Sequence, residues 1–291
     1  MNAGGSPPLR ESLAAAGLRA DKRFGQHFLL DLNICRKIAG FAGPLAGETV
    51  IEVGPGPGGL TRALLEAGAR VIAVEKDRRF LPILEDLARI ADGRLTIVGA
   101  DALKVDEAAL LRAHALGAGA RIVANLPYNV GTPLLVKWLT GAFRPLAMTL
   151  MFQKEVAQRI VAAPGGGDYG RLAVLSQALC EARIVFELAP RAFSPPPKVA
   201  SAVVALEPHA DRPPDNTVVA LQRVAQAAFG QRRKMLRSAL RELGGAGLCA
   251  AAAINPDARA ETVPVQGFLS MANALLMRDL NAAVMIPPTA G

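Results

Sequence analysis

The run Val50-Ile51-Glu52-Val53 stops abruptly in Gly54-Pro55-Gly56-Pro57-Gly58-Gly59, and a helical pattern of Leu60, Ala63, Leu64 and Ala67 starts at once. Apolar and β-branched residues, then glycines, then a 3.6-residue period predict strand, tight turn and helix. Gly54, Gly56 and Gly59 fit the G-x-G-x-x-G template of nucleotide-binding α/β folds, where glycine permits positive φ or lets the main chain touch a ligand. Alone, that template fits an ordinary glycine-rich turn as well as a ligand loop. The residues on its C-terminal side separate the two.

Residues 69–74 read as a second strand ending in Glu75-Lys76-Asp77, and Leu81, Leu84, Leu87 and Ala88 mark the next helix. Glu75 lies about 20 residues past the glycines, where such folds place a carboxylate that accepts from two ribose hydroxyls. Residues 95–98 form a third strand leading to Asp101, which either lines the same crevice or caps the helix after it. A fourth strand, 121–124, delivers Asn125-Leu126-Pro127-Tyr128-Asn129 to that edge. Ligands of parallel sheets bind at the carboxyl ends of the strands, so these polar strand ends point to one site. The chain holds two tyrosines and one tryptophan. Placing one tyrosine in a polar turn suits a planar ligand that needs a stacking surface.

A helix at 132–139, a strand at 146–152 and a helix at 154–161 come next. The Pro164–Gly170 segment reads as a mobile loop at the crevice mouth, succeeded by a helix at 171–180. Residues 184–188 and 201–206 alternate as a hairpin-like pair that would finish the sheet, separated by Phe193-Ser194-Pro195-Pro196-Pro197-Lys198-Val199. The proline run is stiff and extended, suited to holding Phe193 in one pose. The polar stretch 208–216 reads as a domain boundary, which gives an α/β domain over 21–207 and a helical domain over 208–291. In the latter, helices are expected near 217–229, 232–243, Cys249 and 266–280. In the second of these, Arg233, Arg237 and Arg241 recur at i, i+4, i+8 beside Leu236, Leu240 and Leu243, and with Arg232 and Lys234 they form a cationic patch suited to phosphates.

Composition bounds the rest. Lys plus Arg number 33 against 25 Asp plus Glu, a net charge of +8, which favours a polyanionic partner. Three separated cysteines and three scattered histidines suggest neither a disulfide framework nor a metal site. No apolar run has membrane-spanning length and the N-terminal apolar patch is too short for a signal peptide, so a reduced, cytoplasmic, monomeric protein is expected. Residues 1–20 offer little to pack and are expected to be poorly ordered.

Taken together, these motifs resemble the ribosomal RNA adenine dimethyltransferase family, above all its bacterial small-subunit branch. The markers are Lys-Arg-Phe-Gly-Gln-His-Phe-Leu at 22–29, Glu-Val-Gly-Pro-Gly from Glu52, Glu75, Asp101, Asn-Leu-Pro-Tyr-Asn from Asn125, Gln-Lys-Glu-Val from Gln153, Phe-Ser-Pro-Pro-Pro-Lys-Val from Phe193, and Gln-Arg-Arg-Lys from Gln231. The resemblance implies a seven-stranded, Rossmann-like S-adenosylmethionine-dependent methyltransferase domain with a small all-helical C-terminal domain. It implies a cofactor site of His27, Leu29, Gly54, Glu75, Asp101 and Asn125. Asn125, Leu126, Pro127 and Tyr128 would carry the chemistry on an adenosine of ribosomal RNA, and Phe193 would complete a sandwich around the flipped base. Arg232, Arg233, Lys234 and Arg237 would bind RNA. Many relatives have Asn where this chain has His27, which can still donate and accept. Two other readings share parts of this pattern: a large-subunit rRNA methylase of the antibiotic-resistance kind, and a non-catalytic ribosome-assembly factor. A nicotinamide dehydrogenase shares only the glycine template and gives residues 125–128 no role.

Overall fold

The structure, a computed structural model, describes residues 9–21, 25–117, 119–231 and 233–284. In chain order the elements are α1 (Leu9–Ala15), β1 (Phe28–Leu29), α2 (Leu32–Phe41), β2 (Thr49–Val53), α3 (Gly59–Glu66), β3 (Arg70–Val74), α4 (Leu81–Arg89), β4 (Leu95–Val98), α5 (Glu107–Ala113), β5 (Arg121–Asn125), α6 (Gly131–Thr140) and β6 (Met148–Gln153). They continue with α7 (Lys154–Val161), α8 (Arg171–Leu179), β7 (Cys180–Leu188), β8 (Phe193–Ser194), β9 (Ser201–Pro208), α9 (Asp215–Gly230), α10 (Leu236–Ala239), α11 (Gly245–Ala251) and α12 (Val265–Val284).

Seven strands form one sheet in the order β4-β3-β2-β5-β6-β9-β7. β2 pairs in parallel with β3 (Val50↔Val71 to Val53↔Val74) and with β5, while β6 runs parallel to β5 and antiparallel to β9. β2 is buried along its whole length, as a central strand covered on both faces must be. Strand order reverses at β2, where β3 and β4 lie to one side and β5 to the other. Their carboxyl ends frame the crevice expected at such a switch point. β1 and β8 form a separate two-stranded ribbon, with Leu29 opposite Phe193.

The chain clusters into two compact units, Met1–Ala157 with Ala182–Pro208, and Gln158–Glu181 with His209–Gly291. Residues 158–181, assigned by sequence to the first domain, thus group with the second. Within that second unit Phe229 stacks on Phe268 at 5.4 Å and meets Tyr169 edge-on at 6.0 Å. Phe268, Met271, Leu275, Leu221 and Val224 are sealed from solvent there.

Three sequence expectations need correction. The expected disorder of 1–20 falls partly on residues 1–8, outside those described. From Leu9, however, the chain is a helix whose first residue is 3% exposed. The loop at 164–170 is anchored rather than loose: Tyr169 is fully buried and donates its hydroxyl to the Val263 carbonyl at 2.9 Å, and the Gly165 N–H meets the Glu261 carbonyl. The single helix expected over 232–243 is instead the four-residue α10 and then a 3-10 turn at Arg241–Leu243. The backbone N–H groups of Leu236 and Arg237 go to the carbonyls of Ala258 and Pro256. These tertiary partners displace the helical ones, so Arg233, Arg237 and Arg241 do not share a continuous helical stripe.

Candidate active site

A cavity opens where β2, β3, β4 and β5 end. Its lining includes His27, Phe28, Leu29, the Glu52–Pro57 turn, Glu75, Lys76, Asp101 to Leu103 and Asn125 to Val130. Glycine is required where the turn closes on the opposite loop: Gly54 has φ +69°, and a Cβ there would lie 3.4 Å from Pro127 Cδ. Gly54 of the glycine turn therefore faces Pro127 of the Asn125–Asn129 loop, with a methyl group's width between them.

Glu75, 5% exposed, accepts the Gly56 N–H on one oxygen (3.0 Å) and the Asp77 N–H on the other (2.7 Å). Burial pushes its carboxyl above the usual range, and those two amides oppose the shift. Each oxygen keeps a lone pair for a further donor, as a ribose diol requires. Asp101 accepts from the Leu103 N–H (3.1 Å) and pairs with Lys76 Nζ (2.9 Å), a bond that holds its carboxyl below the usual range. It does not cap α5, whose N-cap is Asp106, bonded to the Ala109 N–H. Beneath the turn lies Glu52, 1% exposed, its carboxyl pushed up to about 8 by burial.

Asn125 donates its Nδ2 to the His27 carbonyl at 3.1 Å. That bond fixes the amide plane and leaves Oδ1 without a hydrogen-bond partner among the described residues. The next helix is seated on the Pro127 carbonyl, which takes the Val130 and Gly131 N–H groups at 3.1 Å each. Tyr128 is held at both ends: its hydroxyl shares a 2.6 Å hydrogen bond with Ser201, and its ring lies 5.3 Å from that of His27 at 33°. His27 Nδ1 lies 2.8 Å from the Pro195 carbonyl. A carbonyl can only accept, so Nδ1 carries the hydrogen.

The structure thus gathers His27, Leu29, Gly54, Glu75, Asp101 and Asn125 to Tyr128 around one cavity. Phe193 is the exception. It is 5% exposed, belongs to the hydrophobic cluster with Leu29, Cys35 and Val203, and lies outside the lining. As half of the ribbon that pairs with Leu29, it packs into the core, whereas Tyr128 lines the cavity. Sequence reasoning passed over Gln26, which donates to Asp77 Oδ2 (2.9 Å), and Phe28, whose ring stands where a Gly56 Cβ would meet it at 3.1 Å. Both sit inside the 22–29 motif and were within reach. Ser201 was not, since nothing local ties it to a tyrosine 73 residues earlier. In the second unit, Gln231, Lys234, Arg237, Ser238 and Arg241 line a shallow basic concavity. Arg237 is ion-paired with Asp257 at 2.8 Å, and Arg232 lies outside the described residues.

A seven-stranded mixed sheet with a cavity at its parallel switch point, a buried carboxylate with acceptor capacity to spare and a fixed amide oxygen beside a tyrosine is the architecture of a Rossmann-like methyltransferase. The family profile described as ribosomal RNA adenine dimethylase matches residues 17–276, and the chain belongs to that family. It is 62% identical over 281 residues to Ribosomal RNA small subunit methyltransferase A of Phenylobacterium zucineum, covering 97% of each chain. It is 65% identical over 257 residues to the protein of the same name from Caulobacter vibrioides, covering 88% of this chain and 98% of that one. Among solved structures, a dimethyladenosine transferase from Plasmodium falciparum shares the fold with a TM-score of 0.67 at 23% identity, over 88% of this chain and 98% of that one.

Proposed function

We propose that this protein transfers methyl groups from S-adenosylmethionine to the exocyclic 6-amino group of adenosines in small-subunit ribosomal RNA. The products are dimethyladenosines, two adjacent ones in a 3'-terminal hairpin, made in the cytoplasm as the subunit matures. The observation that carries the reading is the Asn125 amide, tied through Nδ2 to His27 so that its oxygen stays available in the cavity.

Adenine's amine is a poor nucleophile because its lone pair is delocalised into the ring. Asn125 Oδ1 and the Leu126 carbonyl accept the amine's two hydrogens and return that pair to the nitrogen, while Pro127 fixes the turn and Tyr128 stacks a base flipped from its helix. The donor, when bound, supplies a sulfonium-activated methyl carbon. Glu75 would hold its ribose and Asp101 its purine, leaving the methyl carbon to face the Asn125 side of the cavity, where the amine would be held. In-line alignment is worth up to about 7–11 kcal/mol, with oriented acceptors adding about 3 more. The product amine loses its proton readily, so no general base is required. Arg233, Lys234, Arg237 and Arg241 contact RNA phosphates.

The small-subunit identity of the relatives at 62% and 65% favours this reading over a large-subunit methylase. The intact Asn125-to-Tyr128 constellation favours it over a non-catalytic factor. The test is methyl transfer to small subunits isolated from cells that lack the enzyme. Asn125→Ala is expected to abolish transfer while donor affinity stays within about tenfold, and Glu75→Ala chiefly to weaken donor binding. Calorimetry giving the reverse pattern would overturn these roles.

A further inference from the structure

Lys137 lies on α6, the helix that leaves the Asn125–Asn129 loop, yet its ammonium is spent on a different segment. Nζ donates to the Ala102 carbonyl (2.8 Å), the Val105 carbonyl (2.5 Å) and Glu107 Oε1 (2.7 Å). An ammonium has three hydrogens, and here each has an acceptor. Glu107 is 4% exposed, and the same oxygen also accepts Trp138 Nε1 at 2.7 Å. Adjacent residues of one helix therefore converge on one buried carboxylate at the start of α5. Between that carboxylate and β4 runs the turn 101–106, which carries Asp101 and places Ala102 and Leu103 in the cavity wall.

The other holds on Asp101 are weak by comparison. Its Leu103 bond is internal to the turn, and its partner Lys76 has a side chain 60% exposed, a solvated pair of small worth. Lys137 grips the turn by two main-chain carbonyls, those of Ala102 and Val105, which take no other side-chain donor among the described residues. The Lys137 side chain is itself 24% exposed, but a fully hydrogen-bonded charge set on a buried carboxylate gives geometric definition more than stability.

We infer that Lys137 is a positioning residue for the methyl donor: through Ala102, Val105 and Glu107 it fixes the turn that presents Asp101 and the apolar wall to the purine, in register with the acceptor loop. The inference rests on the proposed donor site. Because α6 springs from that loop, one side chain sets the spacing between the wall that holds the donor and the wall that holds the amine.

Calorimetric titration with S-adenosylhomocysteine tests it, using Lys137→Met and Glu107→Gln, each alone and in an Asp101→Ala background, with thermal midpoints of the unliganded proteins. Lys137→Met is expected to weaken binding about tenfold, and the added loss in the Asp101→Ala background to shrink to about twofold or less, the signature of a residue acting through Asp101. Should Lys137→Met not fold, Glu107→Gln, which keeps the volume and an acceptor oxygen, carries the same comparison. Unchanged affinity with only a lowered midpoint, or a loss undiminished in the Asp101→Ala background, would overturn the inference. A wild-type protein that bound no S-adenosylhomocysteine would instead sink the donor reading, and this inference with it.

Discussion

Glu52 is a carboxyl sealed under the glycine turn, and one of its oxygens, Oε2, has no hydrogen-bond partner among the described residues. With its folded value near 8 against 4.5 for the free group, the native state keeps a proton that the unfolded chain gives up. The unfolded state therefore binds fewer protons between those values, and stability falls as pH rises through that window, by about 1.4 kcal/mol for each pH unit crossed. Glu52→Gln removes the Glu52 share of that dependence, while Glu75, also raised by burial, keeps its own. Chemical denaturation at pH 5 and pH 8.5 should show the variant gaining a few kcal/mol on wild type at the higher pH, roughly in line with that slope. Much at this scale was legible from the chain: Glu75, Asp101 and Asn125 stand at strand ends, where polar residues have few reasons to be. Phe193 was not legible, because a phenylalanine before prolines has the same local signature whether it faces a ligand or the core. Only its pairing opposite Leu29 decides, and that pairing spans the whole domain.

At the scale of elements, the glycine turn does two separate jobs. Gly54 and Gly56 adopt positive φ, whereas Gly59 has an ordinary backbone and is needed for space: a Cβ there would lie 2.6 Å from the Leu29 carbonyl oxygen. Gly59→Ala should thus push α3 off β1 and lower unfolding free energy by about 1–3 kcal/mol in urea titrations, although alanine is the better helix former. Strands and helices of the α/β layers were readable because period and glycine punctuation agree there. The helix expected over 232–243 failed for the opposite reason. Its leucine and arginine spacing is helical, but Met235 bridges to Arg259 and the next amides bond outside the segment. Long-range backbone partners of that kind leave no trace in local periodicity.

At the scale of the molecule, the chain carries a charge excess of +8, and three of its cations, Lys234, Arg237 and Arg241, line one concavity of the second unit. Arg237 already has Asp257 as a partner, so under the proposed RNA-binding role the residues to test are Lys234 and Arg241 of the concavity and Arg233 beside them in sequence. Changing those three to glutamine should weaken RNA binding and flatten the slope of log affinity against log salt by about two to three, read by filter binding over a salt series. An unchanged slope would make the concavity ordinary surface.

The sheet itself constrains how the protein comes into being. β6 finds its second neighbour in β9, with Met148 opposite Leu206, and β9 stands between β6 and β7 although it is made after both. While the chain is being synthesised, β6 presents a bare edge until some fifty further residues have left the exit tunnel. The catalytic half of the sheet can assemble early, but its completion waits on a strand delivered late. A nascent chain interrupted in that interval is left with an open edge and an incentive to pair with its neighbours on the same polysome.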